Sequence, residues 1–163
     1  MRAIARRLFL LLALAAAGCA EPPTFDQVAP SLPPVPPGAA RIFVYRDYEP
    51  YQSLSWVPAF IDGYNVGAVG PGHVIMRDVP PGTHDIAVAS QGLYPNQDKV
   101  VTLAPGQVAF AKITSFKGLD PTANRAVPLT TFVVTLVDPE TARREIGHLW
   151  YTARRQKGPA VSG

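Results

Sequence analysis

Three turn signals, Asp62-Gly63, Pro80-Pro81-Gly82 and Pro105-Gly106, cut the middle of the chain into short runs. Asp-Gly between apolar runs is a strong hairpin signal, because both residues tolerate the left-handed backbone of a two-residue turn. Pro followed by Gly supplies a fixed φ and then a positive one. The runs between the turns are β-branched and aromatic, which is strand composition. Strands are expected over 41–46, 56–61, 66–69, 73–79, 83–90, 99–103, 107–114 and 130–137. In 83–90 the alternation puts His84, Ile86 and Val88 on one side and Asp85, Ala87 and Ala89 on the other. The run 130–137 is the longest β-branched one, which places it centrally in a sheet.

One helix is expected over 139–151. Asp138 suits the N-cap and Pro139 the first helical position. Ala142, Ile146, Leu149 and Trp150 then fall on one apolar stripe, with Arg143 and Arg144 facing away. The fold class is therefore mainly β. We expect an antiparallel β-sandwich of about seven or eight strands with one C-terminal helix, a single domain over 41–151.

The N-terminus reads as a targeting segment. Arg2, Arg6 and Arg7 precede an apolar run over 8–17, and Ala16-Ala17-Gly18 supplies small residues for a peptidase. The run is about half of the roughly 20 residues a spanning helix needs. Arg6-Arg7 also looks like a twin-arginine export signal, although the leucine-rich core favours the general secretory route. Cys19, the single cysteine, follows directly. Leu14-Ala15-Ala16-Ala17-Gly18-Cys19 resembles the bacterial lipobox, with Ala16 where that pattern prefers Leu. The resemblance implies cleavage between Gly18 and Cys19, diacylglyceryl transfer to the Cys19 sulfur and a further acyl chain on its amine. Two or three acyl chains make release from a bilayer negligible. Residues 1–18 are then the signal peptide. Ala20 in place of Asp matches the outer-membrane sorting pattern.

Processing changes the charge balance. The chain carries 15 Lys+Arg against 12 Asp+Glu. Loss of Arg2, Arg6 and Arg7 equalises the two, so the basic isoelectric point gives no reason to expect nucleic acid as a partner. With Cys19 acylated, no thiol remains for a disulfide or a thiolate metal site. Between Ala20 and Ala40 stand Pro22, Pro23, Pro30, Pro33, Pro34, Pro36 and Pro37. Residues 19–40 are thus expected to be the lipidated cysteine and an extended tether. At about 3.1 Å per residue the tether would hold the domain up to roughly 60 Å from the bilayer. Residues 152–163, with Arg154, Arg155 and Lys157, are expected to be a basic disordered tail.

Chemistry is sparse. His73, His84 and His148 have no metal-ligand spacing, so no metal and no cofactor are expected. His84 reads as a hydrogen-bonded histidine at the core edge. Asp62, Asp78 and Asp85 lie near turns, where Asp usually bonds its own backbone; brought together they would act as the paired acids of a hydrolase or bind a cation. Ser53 and Ser55 lack a nucleophile-elbow motif. No helix pattern follows Gly67, Gly70 and Gly72, which argues against a phosphate loop. The candidate binding surface is aromatic. Tyr45, Tyr48, Tyr51 and Trp56 lie close together, with Tyr64 and Tyr94 on nearby loops, and Tyr48, Tyr51 and Trp56 are its best members.

Phe60-Ile61-Asp62-Gly63, Val66-Gly67 and Val79-Pro80-Pro81-Gly82-Thr83-His84 together resemble the PEGA-type surface β-domain. With residues 41–46 upstream and Ala104-Pro105-Gly106-Gln107 downstream, the chain is most similar to the bacterial lipoproteins called domain of unknown function 2846. The resemblance implies a transthyretin/PEGA-like sandwich and carries no catalytic residues. The expected function is a non-enzymatic lipoprotein, outer-membrane anchored and facing the periplasm. Its domain would be an interaction or structural module for an envelope protein. The alternative is a glycan- or peptidoglycan-binding module.

Overall fold

The computed structural model describes residues 21–50, 52–90, 97–119 and 128–153. Among them nine strands form two sheets, mostly antiparallel, an architecture that fits a β-sandwich. The strands are β1 (Ala40–Arg46), β2 (Val57–Ile61), β3 (Tyr64–Val69), β4 (His73–Val79), β5 (Gly82–Val88), β6 (Lys99–Leu103), β7 (Val108–Leu119), β8 (Pro128–Val137) and β9 (Trp150–Tyr151). One sheet runs β8-β7-β1-β4-β9 and the other β3-β2-β5-β6.

β1 is the organising strand, and all its residues are buried. The alternation of a strand sends its side chains to opposite faces. Ala40, Ile42 and Val44 enter the core between the sheets, with Ile61, Ile86, Leu103 and Ile113. Phe43 and Tyr45 enter a second cluster on the other face, with Phe110, Ala142, Ile146 and Leu149. The strand expected at the centre, 130–137, instead lies at an edge as part of β8. A run buried on both faces belongs in the middle, and β1 is that run, while Leu136 of β8 is exposed. The free edge of β8 is partly covered, since Val134 donates its amide to Gln97 and Phe132 donates to the Ser90 hydroxyl.

The turn chemistry is as the residues require. Asp62 and Gly63 both have positive φ, 52° and 77°, and join β2 to β3 in two residues. Gly82 at φ 142° opens β5, and His84, Ile86 and Val88 are its buried side. Two pairings depart from the antiparallel expectation: β1 with β7 and β4 with β9 are parallel.

The helix and the tether also differ from expectation. The C-terminal helix α2 covers Pro139–Ile146 only, after α1 at Phe25–Val28. Asp138 caps it by accepting from the Thr141 amide at 2.9 Å. Gly147 then ends it, and Trp150 joins the edge of β4 by donating its amide to Gly72 at 2.8 Å. Leu149 and Trp150 have helical spacing, but the open edge of β4 offers hydrogen bonds that a longer helix would forgo.

The proline-rich stretch is not an extended spacer from 23 onward. Phe25 packs edge-on against Phe43, with ring centres 5.4 Å apart, and tilts against Tyr151. The Phe25 amide donates to Leu149, and the Asp26 amide donates to Gly147. The Arg41 guanidinium binds Asp78 through two nitrogens and donates to the carbonyls of Pro33 and Pro34. Prolines lack amides but keep carbonyls, and a buried cation needs acceptors. The folded domain therefore begins near Pro23, not at Arg41. At its other end Thr152 still donates to Val74, and residues 154–163 of the expected tail lie outside the described residues.

Candidate functional site

Gly18, Cys19, Tyr51 and Tyr94 lie outside the described residues. Of the other aromatic candidates, Tyr45 is wholly buried in the core. Tyr64 sits on the β2–β3 hairpin and lines a separate groove with Asp62, Arg77 and His84. Tyr48 and Trp56 remain, 66% and 53% exposed, at opposite ends of the β1–β2 loop.

That loop is held from below. Arg46, at the end of β1, is fully buried and donates to the carbonyls of Ser55, at 2.6 Å, and Ser53. Its guanidinium lies over the Phe132 ring, 5.1 Å from the centre. The Ser53 amide donates to the Ser115 hydroxyl at 2.8 Å, and Gln52 accepts from the Ser115 amide. A buried cation thus gathers the carbonyls of the loop that joins β1 to β2. Burial without a carboxylate among these contacts lowers the Arg46 pKa from its ordinary value.

The structure adds two residues to the aromatic surface. The His73 ring lies between two indoles, 4.4 Å from Trp56 and 5.1 Å from Trp150. Its Nδ1 donates to the Pro71 carbonyl at 2.8 Å, which fixes the ring plane. Gly70 lies directly beneath Trp56, where a β-carbon would stand 2.7 Å from the indole. Gly72, at φ 74°, takes the chain past Trp150 and Tyr48, and these three line a cleft with His148 and Leu149. Trp56, His73, Trp150 and Tyr48 thus form one aromatic face at the β1–β2 end of the domain.

Charges beside this face are paired. Lys112 approaches Glu145 at 3.2 Å, Glu49 at 3.3 Å and Asp47 at 4.0 Å. His148 lies 3.4 Å from the other Asp47 oxygen. Tyr45 donates its hydroxyl to Glu145 at 2.6 Å, joining the core of β1 to α2. Burial opposes the Lys112 charge, yet Glu145 and Glu49 outweigh it and raise its pKa. Burial first, and then Glu145, push the Tyr45 phenol well above its ordinary value.

The turn aspartates hold the fold. Both Asp78 oxygens accept from Arg41. Asp62 accepts from His84 Nδ1 at 2.7 Å and from the Asp85 amide at 2.9 Å. His84 Nε2 donates to the Pro80 carbonyl, so both nitrogens of this buried ring are satisfied. Asp85 lies on the exposed side of β5, and slight burial with Asp98 and Asp62 nearby raises its carboxyl pKa. Among the described residues no group of three or more His, Cys, Asp or Glu is placed to hold a metal ion.

Sequence reasoning missed Trp150, His73 and Arg46 as members or supports of this face. Trp150 satisfied a helical stripe, and Arg46 read as a strand terminus. The Pro71-Gly72-His73 turn was the available signal, since a left-handed glycine beside aromatics permits close ring approach. No family model, curated protein or solved structure matches this chain.

Proposed function

We propose that the chain is a bacterial envelope lipoprotein, anchored by acylated Cys19 in the outer membrane and facing the periplasm. The observation that carries this is the order Arg2, Arg6, Arg7, the apolar run 8–17, Ala16-Ala17-Gly18 and Cys19. No helix of the described residues is long and apolar enough to cross a membrane. Its domain is a transthyretin/PEGA-like sandwich of the domain-of-unknown-function 2846 kind, serving as a non-catalytic interaction or structural module. Two features support that reading: the Asp62-Gly63 turn joins the paired strands β2 and β3 while Pro80-Pro81 leads from β4 of one sheet to β5 of the other, and the aspartates nearby are engaged in structural contacts.

The test is fractionation. Wild-type protein expressed in a bacterium is expected in the membrane fraction, released by detergent and not by salt. Cys19→Ser is expected to lose the acyl chains and with them the detergent-dependent release. Equal partition of both proteins into the soluble fraction would remove the reading.

A further inference from the structure

Both chain ends leave the domain in the direction away from the aromatic face. Trp150 and Tyr151 pair in parallel with His73 and Val74, and Thr152 donates to the Val74 carbonyl. The chain after Trp150 therefore runs from the His73 end of β4 towards its Val79 end. Thr24 bridges Trp150 in the antiparallel sense, and Pro23 accepts from the Tyr151 amide. The chain before Pro23 thus comes up the same edge from the Val79 end. A lipid on Cys19 is approached from that side, which leaves Tyr48 and Trp56, at the His73 end, open to the periplasm.

The rings at that end are exposed and fixed. Tyr48, Trp56 and Trp150 reach solvent, while His73 between the indoles and Arg46 under the loop hold them in place. Little ordering is then left for a ligand to impose. A cleft of about 180 Å³ is lined by Tyr48, Trp150, Gly72, Leu149 and His148. A β-carbon at Gly72 would touch both Trp150 and Tyr48, so its absence keeps the space between them open. A sugar ring has a face of C–H groups and a rim of hydroxyls. The C–H face suits the negative face of an aromatic ring, and the hydroxyls need acceptors. Asp47 supplies one beside Tyr48. Its Oδ1 accepts from the Tyr48 amide and lies 3.4 Å from His148, whereas Oδ2 has Lys112 at 4.0 Å, beyond hydrogen-bond range. Asp47, Glu49 and Glu145 share that one lysine. Surroundings of this kind repel polyanions and accept from neutral donors.

We propose that this face binds the glycan strand of the cell wall. One sugar ring enters the cleft between Tyr48 and Trp150, with a hydroxyl donating to Asp47, and Trp56 stacks on the adjoining part of the strand. The proposal rests on the reading of the chain as a periplasm-facing interaction module, and names the ligand of that module.

The test is sedimentation of full-length protein, in detergent, with purified protein-free sacculi. Wild type is expected in the pellet. Tyr48→Ala and Trp150→Ala should each raise the half-saturating concentration about tenfold, the effect of losing one central aromatic contact. Tyr64→Ala, on the Asp62-Gly63 hairpin at the other end, should sediment as wild type does. The chain contains two tryptophans, and both lie on this face. Peptide-free sugar chains released from sacculi should therefore shift the emission of wild type and displace it from the pellet, a readout that needs no variant. Wild type that stays in the supernatant, or ring variants that sediment unchanged, would overturn the proposal. Displacement by stem peptides and not by sugar chains would overturn it in favour of a peptide site. Cys19→Ser should bind sacculi as wild type does. Loss of sacculus binding with detergent-dependent membrane release intact would overturn the glycan site alone; sacculus binding by a protein that never reaches the membrane fraction would support the sugar contact and remove the anchor.

Discussion

The Tyr151 amide donates to the Pro23 carbonyl across 2.8 Å, tying the chain just ahead of α1 to the last strand of the domain. This bond, with the Phe25 ring seated on Phe43 and Tyr151, converts a proline-rich stretch into part of the fold. Phe25→Ala should therefore lower unfolding stability by about 2 kcal/mol, below the range for a fully enclosed phenylalanine because Phe25 is only half-buried. Urea denaturation checks it. A mutant with the wild-type midpoint would return residues 23–40 to the role of a free tether.

Arg46 is the support of the aromatic loop. Replacing it with Met leaves the Ser53 and Ser55 carbonyls without their donor. Two charge-assisted hydrogen bonds are at stake, and the expected loss is about 3 kcal/mol. Arg46→Lys should recover little, because one ammonium cannot reproduce the two-nitrogen fork that reaches both carbonyls. Thermal unfolding and the Trp56 environment, read by near-ultraviolet circular dichroism in a Trp150→Phe background, should change together.

Gly70→Ala tests the packing beneath Trp56. The new β-carbon would stand 2.7 Å from the indole, so the ring must move off His73. The stability cost is about 1 kcal/mol, at the low end for overpacking, because the displaced ring is exposed on its other side. A clear change in tryptophan emission is the expected signature. Unchanged emission would mean that Trp56 does not rest on Gly70.

The Tyr45–Glu145–Lys112 cluster gives a pH dependence with a definite sign. Both Tyr45 and Lys112 have pKa values raised in the fold. Their contribution is complete at neutral pH and is lost as pH rises above about 10, where the unfolded chain sheds these protons first. Melting temperature should fall between pH 9.5 and 11. Tyr45→Phe should be less stable at pH 7, and its melting temperature should fall less steeply over that interval. Parallel slopes for the two proteins would exclude Tyr45 as a contributor.

What was legible in the sequence was local. Asp62-Gly63 demanded a left-handed pair, Asp138 and Pro139 a helix start, and His84 shared parity with Ile86 and Val88; each is satisfied within a few residues. What was not legible depends on distant partners. The β1–β7 pair is parallel because the chain crosses the second sheet in between, and no local pattern records that crossing. The end of α2 is set by a vacant β4 edge far away in sequence. The aromatic face shows the same divide. Tyr48 and Trp56 were visible as neighbours on one loop, while Trp150 joins them only through its pairing with His73.

The most direct test of the account is the mass of the N-terminal peptide of the protein recovered from bacterial membranes. The account predicts a peptide beginning at Cys19 with a diacylglyceryl group on the sulfur and a further acyl chain on the amine. A peptide that still includes residues before Cys19, or one that begins elsewhere with Cys19 unmodified, would contradict it.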